Sequence, residues 1–485
     1  MSCRTDAKMA LWGLMRHSFS TYLAVLAFIV TAILVAVTSP AHAHASEQGF
    51  VLLLPTGIYI LAGTTSVALT IFLVSVLPDD ALRAALRPHA LLRLRALPRA
   101  RHVTSCLALV LLVWLVWVGL EGPRDPLSNP LPLFVWTLWW IGLVTLQGLI
   151  GNLWAWINPW TGPVAVTRAL LNLRPFLRFP VQTGHSLAIL SFLGFAGVLL
   201  ADPAPSDPAR LAIYVGGYWL FSFLALLAFG PRWLYRAEGV SLLMRAYGRM
   251  GLLGRSGNRV ALGLSGWQVL RRATPAPGLA VFILLMLGSG SFDGLNETFW
   301  WLDLLGLNPL EFPGRSAVIV QNLTGLLVAN LALITVFALT IRMGLALAGA
   351  PMGPGRAFCL FAPSILPIAL GYHIAHYLPS FLVDAQYALK AASDPMASGA
   401  DYLGLGQFYV TTGFFNTQAS VRVIWLSQAA AVVGGHIIAV MLAHAIAVRE
   451  IGPGRRAVLS QAPLALFMVL YTLFGLWLLA SPRGA

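Results

Sequence analysis

The sequence predicts an all-α fold, a polytopic transmembrane helix bundle of about ten spans behind an N-terminal signal-like segment. Three observations predict it. Apolar residues make up 58% of the 485-residue chain and charged residues only 10%, with a mean hydropathy of +0.79. Soluble domains carry about 25% charged residues, so this chain cannot cover a water-facing surface and must take lipid as solvent. Ten apolar stretches, near 51–77, 103–120, 132–150, 184–201, 209–229, 278–306, 316–341, 358–380, 420–447 and 461–480, are long enough or nearly so to cross roughly 30 Å of hydrocarbon. Finally, the loops alternate in charge: 78–102, 151–183, 230–277, 342–357 and 448–460 hold 22 of the 31 Lys and Arg residues, while 12 of the 17 acids lie on the opposite side. That bias sets orientation. It predicts a multi-pass membrane protein with the mature N-terminus and the C-terminus both on the non-cytoplasmic face.

The same bias accounts for the +14 net charge. Arginines that orient spans and meet anionic lipid need no nucleic-acid partner, and the expected partners are the bilayer and a small lipophilic substrate. Cys3, Cys106 and Cys359 are too far apart in sequence to suggest a disulfide framework or a thiolate metal site.

Residues 1–43 read as a signal peptide or a first membrane helix. Arg4, Lys8 and Arg16 precede an apolar run from Leu23 to Val37, and Ser39 to Ala45 gives small-x-small exits. Cleavage after Ala41 or Ala43 would leave His42 or His44 at the new N-terminus. A terminal amine beside the imidazole of the same histidine chelates copper(II) along one square-planar edge, which makes His44 a candidate ligand. Residues 44–485 then form one polytopic membrane domain.

Within that domain, Pro55-Thr-Gly57 and Gly288-Ser-Gly-Ser-Phe-Asp-Gly294 are expected to interrupt their spans. In a five-plus-five arrangement, such breaks would suit the inverted repeats of secondary transporters. The basic stretch 233–272, with Arg236, Arg245, Arg249, Arg255, Arg271 and Arg272, is expected to lie along the inner lipid surface. The connector 381–419, rich in aromatics, reads as an interfacial helix or a lid over an outer cavity.

Chemistry concentrates in three places. Asp293 and Glu297 stand four apart on one helical face beside Trp300 and Trp301. His373 and His376, three apart and flanked by Tyr372 and Tyr377, can turn both imidazoles to one face and share a divalent metal, copper or zinc. Pro363 and Pro367 should loosen the helix before them, and Asp384 returns to that face if the helix continues past Pro379. His436 sits mid-span beside Gly434-Gly435, where glycines allow close backbone approach. An ionisable residue at such depth is a functional candidate, and His436 would join His373 and His376 if their spans pack together. No Walker loop, zincin His-Glu-x-x-His or Cys-x-x-Cys-His occurs.

The runs His44-Ala-Ser-Glu-Gln-Gly-Phe-Val-Leu-Leu-Leu-Pro-Thr-Gly57, Ser291-Phe-Asp-Gly-Leu295 and Pro363-Ser-Ile-Leu-Pro-Ile-Ala-Leu-Gly-Tyr-His-Ile-Ala-His-Tyr377 resemble bacterial membrane proteins named fenitrothion hydrolase. The likeness extends from about residue 40 to 450. It implies hydrolysis of an organophosphorus ester with release of a nitrophenol, and carries over no catalytic residues. Joined to the histidine pattern, it leads to the expectation of a metal-dependent hydrolase of lipophilic phosphoesters. His373, His376 and His436 would hold the metal, with Asp384 or Asp293 as fourth ligand or base and Glu297 beside them. The alternative is a transporter or copper-handling permease using the same histidines, and the third is a membrane scaffold subunit.

Overall fold

The computed structural model describes residues 51, 53–93, 98–311 and 314–483. The signal-like segment 1–43, His42 in it, and His44 just after it lie outside the described residues. Among those described, nine helices are long and apolar enough to cross a membrane. The chain is therefore a multi-pass membrane protein with an all-α bundle. We label its helices α1 (Thr56–Val76), α2 (Pro98–Glu121), α3 (Pro130–Leu149), α4 (Ser186–Ala201), α5 (Pro208–Phe229), α6 (Gly239–Tyr247), α7 (Pro277–Asn296), α8 (Ile319–Ala348), α9 (Leu366–Ser393), α10 (Gln418–Glu450) and α11 (Arg455–Ala480). Of the ten expected spans only α4 falls short. Its 16 residues reach about 24 Å at 1.5 Å per residue.

Local chemistry sets the helix starts. Proline opens α3, α5 and α7 at the first position, where its missing N–H is no loss. Asn129, Asp207 and Thr417 accept hydrogen bonds from the first-turn amides of α3, α5 and α10. Within α3, Leu133–Leu143 is π-helical, a rare geometry that often marks functional sites.

The expected interruptions are corrected here. Pro55 stands at the N-cap of α1 instead of inside a span, and α7 runs unbroken through Gly288–Gly294. These glycines admit neighbours. A Cβ on Gly288 would meet Asn330 Oδ1 at 2.4 Å, and one on Gly294 would meet the Tyr372 hydroxyl at 1.8 Å. The broken-helix argument for inverted repeats therefore has no counterpart in these two spans. Pro363 does mark a change of helix type: Ala362–Ile365 is a 3-10 turn leading into α9.

Close backbone contact holds α9 to α10, as the glycines beside His436 foretold. A Cβ on Gly371 would lie 2.3 Å from the Ala431 carbonyl oxygen, and one on Gly435 2.5 Å from that of Pro367. In lipid, where no hydrophobic drive separates helix from solvent, such small-residue seams carry much of the packing.

The basic stretch also departs from expectation. Helix α6 is buried, with Leu242, Leu243, Met244, Ala246 and Tyr247 all inside the protein. Its one arginine, Arg245, donates to the carbonyls of Leu234 and Tyr235 and lies over the Tyr235 ring. Glu238 caps α6, accepting from the Val240 and Ser241 amides at 2.8 and 2.6 Å and from the Tyr218 hydroxyl. Burial pushes its pKa up. Beyond α6, β2 (Leu253–Ser256) and β3 (Arg259–Leu262) form a hairpin whose β3 also pairs with β1 (His89–Arg93), in the antiparallel order β1-β3-β2. This small sheet puts two of the arginine-rich loops at one end of the bundle.

At the other end α9 extends to Ser393, well past Pro379, so the connector to α10 is shorter than expected. Two carboxylates tie it down. Asp394 accepts from the Ser398 and Gly399 amides, and Asp401 from Ser393 Oγ and the Leu405 and Gly406 amides.

Candidate functional site

Helices α7 and α9 bring together a buried polar group inside the bundle. On α9, His373, His376 and Tyr377 fall at i, i+3 and i+4 and share a face. Asp293 of α7 meets them. His376 Nε2 lies 3.2 Å from Asp293 Oδ2, and the Tyr377 hydroxyl donates to the same oxygen. Both His376 and Asp293 are buried. The carboxylate accepts from Nε2, so in the neutral ring Nδ1 is the bare nitrogen. It is buried and has no hydrogen-bond partner among the described residues.

The neighbours complete a small polar chamber. The Tyr372 ring stacks on His376 with centroids 5.8 Å apart, and its hydroxyl is also unpartnered. Gly294 makes room for that hydroxyl. His373 stands edge-on to Trp140 at 5.1 Å and to Tyr377 at 5.0 Å, with Tyr247 of α6 at 6.1 Å, and its Nε2 is unpartnered. These groups line a cavity of about 30 Å³, enough for one or two waters. Apart from Ser289, its remaining wall is apolar, with Phe192, Phe195 and Leu199 of α4, Leu243 of α6 and Met286 of α7.

The three-histidine metal site does not form. Although His373 and His376 share a face, one turns to Trp140 on α3 and the other to Asp293 on α7. His436 points its Nδ1 at the Val432 carbonyl of its own helix, 2.9 Å away, and sits 6.4 Å from the Tyr471 ring. Among the described residues no three His, Cys, Asp or Glu side chains are placed to hold a metal ion. The donors present do not fit a copper or zinc centre, and His44 lies outside the described residues.

The two other expected acids are not part of the chamber. Glu297 caps the end of α7, partly exposed, 3.9 Å from Arg483. Asp384 lies on α9 beyond Pro379 and is absent from the cavity wall.

Sequence reasoning missed Trp140, Tyr247 and Tyr471. Trp140 belongs to the Trp136, Trp139, Trp140 set, whose i, i+3, i+4 spacing was the available signal. The π-helical stretch on which it lies has no such signature. Tyr471 bonds Ser291 through hydroxyls 2.7 Å apart, a contact across 180 residues that no local pattern announces. No family model matches this chain, and comparison with the curated proteins and with the solved structures finds no match either.

Proposed function

We propose that the chain is an integral-membrane hydrolase of lipophilic phosphoesters in which a carboxylate-held imidazole, rather than a metal, activates water. One observation carries the reading: His376 is anchored through Nε2 to Asp293 while its opposite nitrogen, unpartnered, borders a water-sized chamber. A base held in one tautomer and aimed at water is the arrangement general-base hydrolysis needs.

In this reading Nδ1 takes a proton from a water as the oxygen attacks phosphorus. A phosphorus–oxygen bond forms as the bond to the aryl oxygen breaks. The aryl oxide leaves and recovers the proton from the imidazolium, which Asp293 stabilises meanwhile. The unpartnered Tyr372 hydroxyl is placed to donate to the phosphoryl oxygen. The reaction class is the one implied by the resemblance to fenitrothion hydrolases. The chamber as it stands admits water but not an ester, so we assign substrate access to the apolar wall of the short helix α4, from the bilayer. The arginine bias supports a non-cytoplasmic position for the connector after α9 and for the C-terminus, which in the bacterial inner membrane implied by the resemblance is the periplasmic side.

The test is nitrophenol release from a nitrophenyl phosphotriester by membranes containing the protein. His376→Ala should lower the rate by about 10²–10⁴, and chelators should leave it unchanged. Full activity in that variant removes the assignment.

A second reading, a proton-coupled permease for copper or another small solute, is favoured by the Arg483–Glu297 pair. It caps the same helix that carries Asp293 inward, a start for a proton path. Copper uptake into proteoliposomes, abolished by Asp293→Asn and without ester turnover, would select it.

A further inference from the structure

Away from the Asp293–His376 chamber, α1, α10 and α11 line a second cavity of about 300 Å³ that opens at the outer face of the bundle, where Ala68, Ala462 and Leu466 are exposed. Its walls are almost wholly aliphatic, with Ile71, Val74, Val440 and Met468 among them, and its polar lining is Ser75, His444 and Gln461. Ser75 spends its hydroxyl on the Ile71 carbonyl of its own helix. Apolar walls do not hold water, so in a bilayer the space takes an apolar chain. The volume is that of a small-ligand site.

Its polar end discriminates among occupants. The Gln461 amide nitrogen lies 3.0 Å from the Ala457 carbonyl oxygen, which accepts only, so Nε2 must be the atom facing it. The same nitrogen donates to His444 Nδ1 at 2.7 Å. Both amide protons are thereby committed, and what Gln461 has left for a ligand is its carbonyl oxygen, an acceptor. None of the side chains around the cavity is an arginine, a lysine or an acid, so nothing there pays for a charged head group.

We propose that this cavity binds one neutral, hydroxyl-headed lipophile, of the long-chain alcohol or prenol class, with its chain against α1 and α11 and its hydroxyl donating to Gln461. The site is separate from the proposed hydrolytic centre and does not depend on it.

The experiment is native mass spectrometry of the full chain released from detergent micelles, with farnesol, dodecanol, dodecane and dodecanoate as probes. One equivalent of farnesol or dodecanol should bind. Gln461→Leu, close in shape, should weaken it about tenfold, the worth of one hydrogen bond. Ala465→Phe should fill the space and block it, whereas His376→Ala should leave it intact. Dodecane or dodecanoate binding as well as dodecanol would overturn the proposal, as would unchanged alcohol binding in Gln461→Leu. A lack of any adduct with the wild-type chain would overturn it too.

Discussion

Replacing Asp293 tests the centre most directly. Its Oδ2 accepts from both His376 Nε2 and the Tyr377 hydroxyl inside the bundle. In Asp293→Ala both donors lose their acceptor where water has little access. Each stranded donor costs about 1–3 kcal/mol, so the variant should lose roughly 2–6 kcal/mol of stability. Asp293→Asn keeps one acceptor oxygen in the same shape, turns the other into an amide NH2 and loses the charge. Bonds to charged groups contribute about 1.5–3 kcal/mol and neutral ones about 1, so its loss should be roughly half as large. The assay is thermal unfolding in detergent followed by tryptophan fluorescence, with Trp140 packed against His373 as a nearby reporter. Wild-type stability in both variants would refute the carboxylate-centred geometry. Equal damage from Ala and Asn would show that charge matters and the acceptor does not.

Three further outcomes are expected. Gly371→Ala and Gly435→Ala each push a methyl group into a backbone carbonyl across the α9–α10 seam. Each should cost about 1–3 kcal/mol in the same unfolding assay, and the double variant less than the sum because both open one contact. The loop after α9 should loosen in acid. Backbone bonds from Gly406 and Leu405 and the Ser393 hydroxyl hold Asp401 below its ordinary value of 3.8, and for Asp394 the Ser398 and Gly399 bonds outweigh burial to the same end. A carboxyl whose folded pKa is depressed contributes stability above the unfolded value, and that contribution is lost as pH falls from there through the lower folded pKa. Pepsin cleavage near Leu403 should therefore rise below about pH 3.8, and Asp401→Asn should be cleaved already at higher pH. A reporter enzyme that is active only outside the cytosol, inserted at Ser398, should be active; activity confined to a cytosolic reporter at the same position would reverse the orientation.

Sequence alone determined the membrane class and nine of the ten spans. Those follow from hydropathy and charge summed over whole segments, where neighbours in space hardly matter. It also picked out Asp293, His373, His376 and the glycines at 434–435, because an ionisable or small residue at membrane depth stands out against an apolar background. Which of these groups meet was decided only by tertiary structure. A three-residue spacing puts two imidazoles on one face, but the helices packed on either flank determine where each ring turns. Asp293 on α7 captured His376, and the π-helical stretch of α3 set Trp140 against His373. Glycines that looked like breaks became sockets for Asn330 and Tyr372, since within a packed bundle a missing side chain is filled by a neighbour before the helix gives way.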